Sequence, residues 1–217
     1  MYFVLTREED DLKESYGGAW GYYSNLEAAV DAVHRNVTDI HETIYPYAII
    51  ERLDHGLFPI PKGRYWFGWE EEKNGFYEIE KPDGADAVPD HFSMALGATG
   101  NPNFTYTEDD SKNDDDECPN YFVMVADSEE LGERVRQCGF FADRDTALKS
   151  VQENWGDMYK DKNDIAWIEC ITPGILAWST ECVWFRWDAE KNGYKKSVAP
   201  ATFVDWPEPP YYPVSFL

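Results

Sequence analysis

Cysteine pairs, basic charge and long apolar runs are what this chain has least of. Its cysteines, Cys118, Cys138, Cys170 and Cys182, form no Cys-x-x-Cys spacing. That excludes the common zinc-ribbon and thiol–disulfide motifs and fits a reducing cytoplasm. No uninterrupted apolar stretch approaches the roughly 20 residues a membrane helix needs. Met1 opens directly into Tyr2-Phe3-Val4-Leu5 and an acidic run, without the basic start and apolar stretch of a secretory signal. A cytoplasmic protein with no membrane contact is therefore expected. Basic residues number 19 against 42 acidic, a formal charge of -23. Such a field repels nucleic-acid backbones, so direct nucleic-acid binding is not expected. Gly-x-Ser-x-Gly, a phosphate-binding glycine loop and His-Glu-x-x-His are absent as well, which removes the common hydrolase, nucleotide and zinc-protease signatures. In supply are apolar residues at 43% and aromatics at 16% over 217 residues, enough to pack a core in one large domain or two small ones.

The sequence carries an internal repeat. Trp66-Phe67-x-Trp69-x-x-Glu72-Lys73-Asn74-Gly75-Phe76 returns as Trp184-Phe185-x-Trp187-x-x-Glu190-Lys191-Asn192-Gly193-Tyr194, an offset of 118 residues. The same offset aligns Gly21-Tyr22-Tyr23 with Gly139-Phe140-Phe141, Asn36 with Asn154, Asp39 with Asp157, and Ala48-x-Ile50-Glu51 with Ala166-x-Ile168-Glu169. Tyr2-Phe3-Val4 matches Tyr121-Phe122-Val123 one residue out of step, a change that a loop absorbs. The expected organisation is a first α+β repeat over 1–97, an acidic linker over 98–120 and a second repeat over 121–217.

Each copy reads as a β-α-β-β-β unit, with an antiparallel sheet and one main helix. The first strand is Tyr2 to Thr6, or Tyr121 to Ala126. A helix begins near Asn25, where Leu26, Ala29, Val30, Val33 and Val37 fall at helical spacing, with Ala147, Leu148, Val151 and Trp155 as counterparts. Ser24-x-x-Glu27 fits a capping box, and Asp143 fits an N-cap. Tyr47 to Leu53 and Ile165 to Ile171 are rich in β-branched and aromatic residues and read as strands. The Trp-Phe-x-Trp strand follows, and Asn-Gly supplies the positive φ angles of a tight hairpin. Phe92, Met94 and Leu96, matched by Tyr212, Val214 and Phe216, place a further strand at the end of each copy, and pseudo-twofold packing of the copies is expected. In this order of strand, Gly-aromatic-aromatic segment, capped helix, strand and Trp-rich hairpin, the chain resembles small uncharacterised α+β domains of bacterial and phage genomes. The resemblance implies a bacterial or phage origin and brings no catalytic residues with it.

Candidate chemistry is sparse. Asp109, Ser111, Asn113 and Asp115 alternate like calcium ligands, but the sixth and twelfth places hold Asp114 and Asn120 where an EF-hand loop needs Gly and Glu. The histidines His34, His41, His55 and His91 occur only in the first copy, so no metal set is duplicated. Pro209-Pro210-x-Tyr212 has the pattern of a WW-domain ligand and also aligns with the last strand of copy one. Among the polar residues held in both copies, Glu51 and Glu169 stand out because they lie inside strands. Burial would raise such a carboxyl toward general acid–base use, whereas a cross-strand Lys or Arg would hold it as an ion pair. Trp66 and Trp69 differ in strand parity and so face opposite sides of the sheet, as packing residues do.

No catalytic residue, cofactor or metal is expected. Charge points to a partner class, because the two copies and the linker carry net -11, -6 and -6 respectively. The expected function is a non-enzymatic protein-binding module that engages a basic partner, of inhibitor, immunity or DNA-mimic type, with Glu51, Glu169, Trp66 and Trp184 as candidate contacts. The alternative is a small-ligand binder or hydrolase that uses a cleft between the copies.

Overall fold

A computed structural model of the chain describes residues 1–7, 19–83, 85, 119–128, 135–175 and 179–200. Strand β1 (Tyr2–Arg7) is followed by β2 (Ala19–Tyr23), α1 (Leu26–His34), β3 (Tyr47–Arg52), a two-residue β4 (Gly56–Leu57), β5 (Gly63–Glu70) and β6 (Gly75–Glu78). The same succession returns as β7 (Asn120–Ala126), β8 (Val135–Phe141), α2 (Arg144–Gln152), β9 (Ile165–Ile171), β10 (Gly174–Ile175), β11 (Ser179–Asp188) and β12 (Gly193–Lys196). The strands form two six-stranded antiparallel sheets, β10-β2-β1-β3-β5-β6 and β4-β8-β7-β9-β11-β12, each curled into a half-barrel. The protein is thus α+β, mostly sheet, with two units.

The expected β-α-β-β-β order needs correction. The Gly-aromatic-aromatic segment is itself a strand, so each unit begins with two strands before its helix. Beside β1, Val4 pairs with Gly21 and Leu5 with Ala19, while beside β7, Val123 pairs with Gly139 and Met124 with Gln137. Each register shift leaves out one residue, Trp20 or Cys138, and such a bulge breaks the period-two pattern by which strands are read. The proposed final strands around 92–96 and 212–216, the linker up to residue 118 and the proline-rich tail lie outside the described residues.

Both helices are capped by side chains, though the first starts one residue later than the capping-box reading places it. The cap is Asn25, which accepts from the Ala28 N–H at 2.8 Å, and in the second unit Asp143 accepts from the Thr146 N–H at 2.7 Å, as expected. The helices stop at His34 and Gln152, short of Val37 and Trp155, because Asn36 and Asn154 adopt left-handed backbone with φ of 46° and 51°. The side chains of these asparagines bond forward, while their backbone N–H groups donate to the Val33 and Val151 carbonyls. Asn36 Oδ1 accepts from the His41 N–H at 3.0 Å and its Nδ2 donates to Asp39 at 2.9 Å. Asn154 bonds Tyr159 and Asp157 in the same way.

The Asn-Gly hairpins also differ from the two-residue turn predicted. Glu70 pairs with Gly75 and Asp188 with Gly193 across longer loops, and only the asparagines, each at φ 51°, take positive φ. The glycines are needed for close approach. A Cβ on Gly75 would lie 1.9 Å from the His34 carbonyl oxygen, and one on Gly193 would lie 2.0 Å from that of Gln152, so each hairpin abuts the end of its helix.

Apolar residues cover both faces of each sheet. On the helix side, Leu26, Ala29 and Val33 pack against Val4, Ile50, Phe67 and Phe76, while Ala147 and Val151 pack against Val123, Ile168 and Phe185. On the other side, Phe3, Leu5, Ile49, Leu53 and Trp66 form one cluster with Phe122, Phe140 and Ile171 of the second sheet. The units therefore meet through their helix-free faces.

Candidate functional site

The centre of that contact is aromatic. Phe3 lies 5.0 Å from Phe140 and 6.1 Å from Phe122, while Tyr22 lies 5.3 Å from Phe122, all measured between ring centroids. The Tyr22 hydroxyl donates to the Ile171 carbonyl at 2.5 Å and accepts from the Asn120 N–H at 3.1 Å. Burial raises the pKa of this phenol, so it stays protonated as a donor. The rings of Phe3, Tyr22, Phe122 and Phe140 pack on one another across this seam.

Short arms cross the seam in both directions. From the first unit, Gly56 and Leu57 pair with Phe140 and Gly139; from the second, Gly174 and Ile175 pair with Tyr22 and Gly21. A Cβ on Gly21 or Gly139 would stand 2.0 Å from the carbonyl oxygen of Gly174 or Gly56, so glycine at the bulge is what lets each arm come close. Gly21 and Gly139 thus each serve a contact made between the units.

Of the four candidate residues, Glu51, Glu169 and Trp66 are buried. Glu51 is 2% exposed and forms a 2.6 Å ion pair with Arg64, its direct neighbour across the β3–β5 register. Arg7, also buried, has its pKa lowered by desolvation, an effect that the Glu51 carboxylate opposes. The cross-strand ion pair, rather than a free acid or base, is thus what the first glutamate makes. Glu169 is fully buried, and its register neighbour on β11 is Cys182 in place of an arginine. Trp66 is buried in the inter-unit cluster and Trp69 packs on the helix side, so the parity argument places them correctly. Trp184 is half-buried and stacks on Trp167 with ring centroids 5.0 Å apart. Glu51 and Trp66 thus share the inter-unit face of the first sheet, whereas Trp184 belongs to a separate cluster on the second.

Sequence reasoning missed Gln137. It is 1% exposed on β8, and neither its carboxamide nitrogen nor its oxygen finds a hydrogen bond. A strand with a bulge gives no periodic signal from which its burial could be read.

Surface charge is unevenly spread. At the β5–β6 end, Glu70, Glu71, Glu72, Glu78 and Glu80 are exposed, with Lys73 drawn to Glu70 at 2.7 Å. At the β11–β12 end the exposed side chains include Arg186, Lys191, Lys195 and Lys196, and Arg186 faces Lys195 directly across the strands. Among the described residues, no group of three or more His, Cys, Asp or Glu is disposed to hold a metal ion, and no helix is long and apolar enough to cross a membrane. Compared with protein-family models, curated proteins and solved structures, the chain matches none.

Proposed function

We propose that the chain is an internally duplicated, non-enzymatic binding module that engages a basic macromolecular partner through exposed carboxylates, in the manner of an inhibitor, an immunity protein or a DNA mimic. The supporting observation is the β5–β6 end, where Glu70, Glu71, Glu72, Glu78 and Glu80 stand in solvent with few cations among them. These, rather than the buried Glu51 and Glu169, are the groups a partner can reach. Carboxylates held on a rigid hairpin present fixed negative charge, which accelerates encounter with a basic surface and selects against acidic ones.

The test is competition. A set of purified DNA-binding enzymes is loaded with fluorescent duplex DNA, and the protein is titrated in at low and at high salt. Displacement of DNA from at least one enzyme, weakened by salt and lost when the five glutamates become glutamine, is the expected result. Displacement that ignores the five substitutions would remove the β5–β6 end from the reading, and turnover of a small substrate by the protein itself would overturn it.

A further inference from the structure

The seam between the units has a property that charge does not touch. Phe3 and Phe122 begin the matching strands of the two sheets, Tyr22 and Phe140 follow the matching bulges, and the arms at Gly56–Leu57 and Gly174–Ile175 each lie on the opposite sheet. The contact is reciprocal, since each unit offers one arm and one glycine-lined acceptor edge to the other. Exchange of such an element between identical copies is a low-cost route to a dimer. None of these contacts depends on the two units belonging to the same chain, which connects them only through residues 86 to 118.

We propose that this seam is also an intermolecular docking surface, whose occupant is the opposite unit of a second copy of the chain. In the exchanged dimer, the first unit of one copy receives the Gly174–Ile175 arm of the other and lends it Gly56–Leu57, and the reciprocal pair does the same. All seam contacts are kept, including the Tyr22 hydroxyl bond to Ile171. The closed single chain and the exchanged dimer then differ mainly in tethering. A connection within one chain acts as an effective concentration on the order of millimolar, so the single chain prevails in dilute solution and exchange competes as protein concentration nears that value. Opening the seam exposes Phe3, Phe122 and Phe140, so folded copies trade units slowly while copies folding together do so readily.

Two versions of the full chain with different affinity tags provide the test. They are unfolded together and refolded at total concentrations from about 10 μM to about 1 mM, a range that spans the tether's effective concentration, and a parallel sample mixes the versions already folded. The expected result is a species of two-chain mass carrying both tags, at least tenfold more abundant at the highest concentration than at the lowest. It should show the monomer's circular dichroism, be absent shortly after folded copies are mixed, and persist in 1 M salt. Monomer at every refolding concentration overturns the proposal, as does a dimer that forms at once from folded copies or dissolves in salt, because either behaviour places the contact on an outer, charged surface. Partner binding at the β5–β6 end is weakened by salt and needs no refolding, so the two readings fail separately.

Discussion

The Tyr22 hydroxyl donates a 2.5 Å hydrogen bond to the Ile171 carbonyl oxygen, joining residues 149 positions apart and on different sheets. At the corresponding place on β8 stands Phe140, which has no hydroxyl and packs against His55, itself hydrogen-bonded to Asn120 at 2.7 Å. Tyr22 adds more than a bond of its own, because it satisfies the Asn120 N–H and the Ile171 carbonyl where water is excluded.

Replacing Tyr22 with Phe keeps the ring packing and removes the hydroxyl from the buried Asn120 N–H and Ile171 carbonyl. An unsatisfied buried donor or acceptor costs about 1–3 kcal/mol, so Tyr22→Phe is expected to lower unfolding free energy by about that amount in urea titration. Phe140→Leu would act on packing alone, and comparing the two separates the polar contribution from the apolar one. A loss below about 0.5 kcal/mol for Tyr22→Phe would mean that water reaches these groups, since exposed groups re-pair with solvent at little cost.

The glycines at the two bulges give a second expectation. Gly21→Ala and Gly139→Ala each place a methyl 2.0 Å from a backbone oxygen of the opposing arm, which must move away. Overpacking of this kind costs about 1–3 kcal/mol, and the arm pairing is lost with it. Hydrogen exchange should therefore rise at the partner amides, around Ile175 for Gly21→Ala and around Leu57 for Gly139→Ala, with much smaller change at the helices. Uniformly faster exchange would instead show that the arms and sheets open as one unit.

Helices α1 and α2, the Tyr47–Arg52 strand and the Trp-rich strand were legible because each depends on local periodicity, which the sequence shows at two places 118 residues apart. The cross-strand neighbour of Glu51 was legible as a type, Lys or Arg, but its identity as Arg64 depends on register. β2 and β8 were not legible, since a bulge displaces Trp20 and Cys138 from the alternation and the pairing with β1 and β7 spans a long connection. The arms at Gly56 and Gly174 are shorter than any pattern, and their partners lie on the other unit. Surface charge misled in one respect, because the net -6 of residues 121 to 217 coexists with exposed cations at Arg186, Lys191, Lys195 and Lys196.

Acid sensitivity follows from carboxylates whose pKa values are lowered in the fold. The Arg144 guanidinium, hydrogen-bonded to Glu181, holds that carboxyl below its usual range; the Lys62 ammonium does so for Asp54, and the Thr146 hydroxyl and N–H for Asp143. A group with a lowered folded pKa binds protons more readily when unfolded, so its stabilisation is present above the unfolded values near 4 and is lost as pH falls through the folded pKa. These carboxylates should thus make the urea midpoint fall as pH drops below about 4. Asparagine caps a helix as well as aspartate but does not titrate, so Asp143→Asn should reduce the acid slope while leaving neutral-pH stability nearly unchanged. A variant with the same slope as the parent would remove Asp143 from the set of groups responsible.

The last prediction concerns the route by which a basic partner arrives. The exposed carboxylates at Glu70, Glu71, Glu72, Glu78 and Glu80 sit at the solvent rim, where charge acts at long range and mostly on encounter. The Debye length falls from ~10 Å at 0.1 M salt to ~3 Å at 1 M, so association with the partner should slow strongly over that interval while dissociation changes little. Changing the five glutamates to glutamine should reproduce the high-salt association rate at low salt, and should leave the fold intact because none of the five is buried. Deleting residues 108 to 117 removes net charge of -6, and should slow association less than the five substitutions do, because most of the -23 is carried by the rest of the chain. Stopped-flow mixing of the three proteins with the partner found by DNA competition measures each rate. If the deletion alone abolished binding and the glutamine variant bound as the parent does, the acidic run between the units would be the binding element and the β5–β6 end would not.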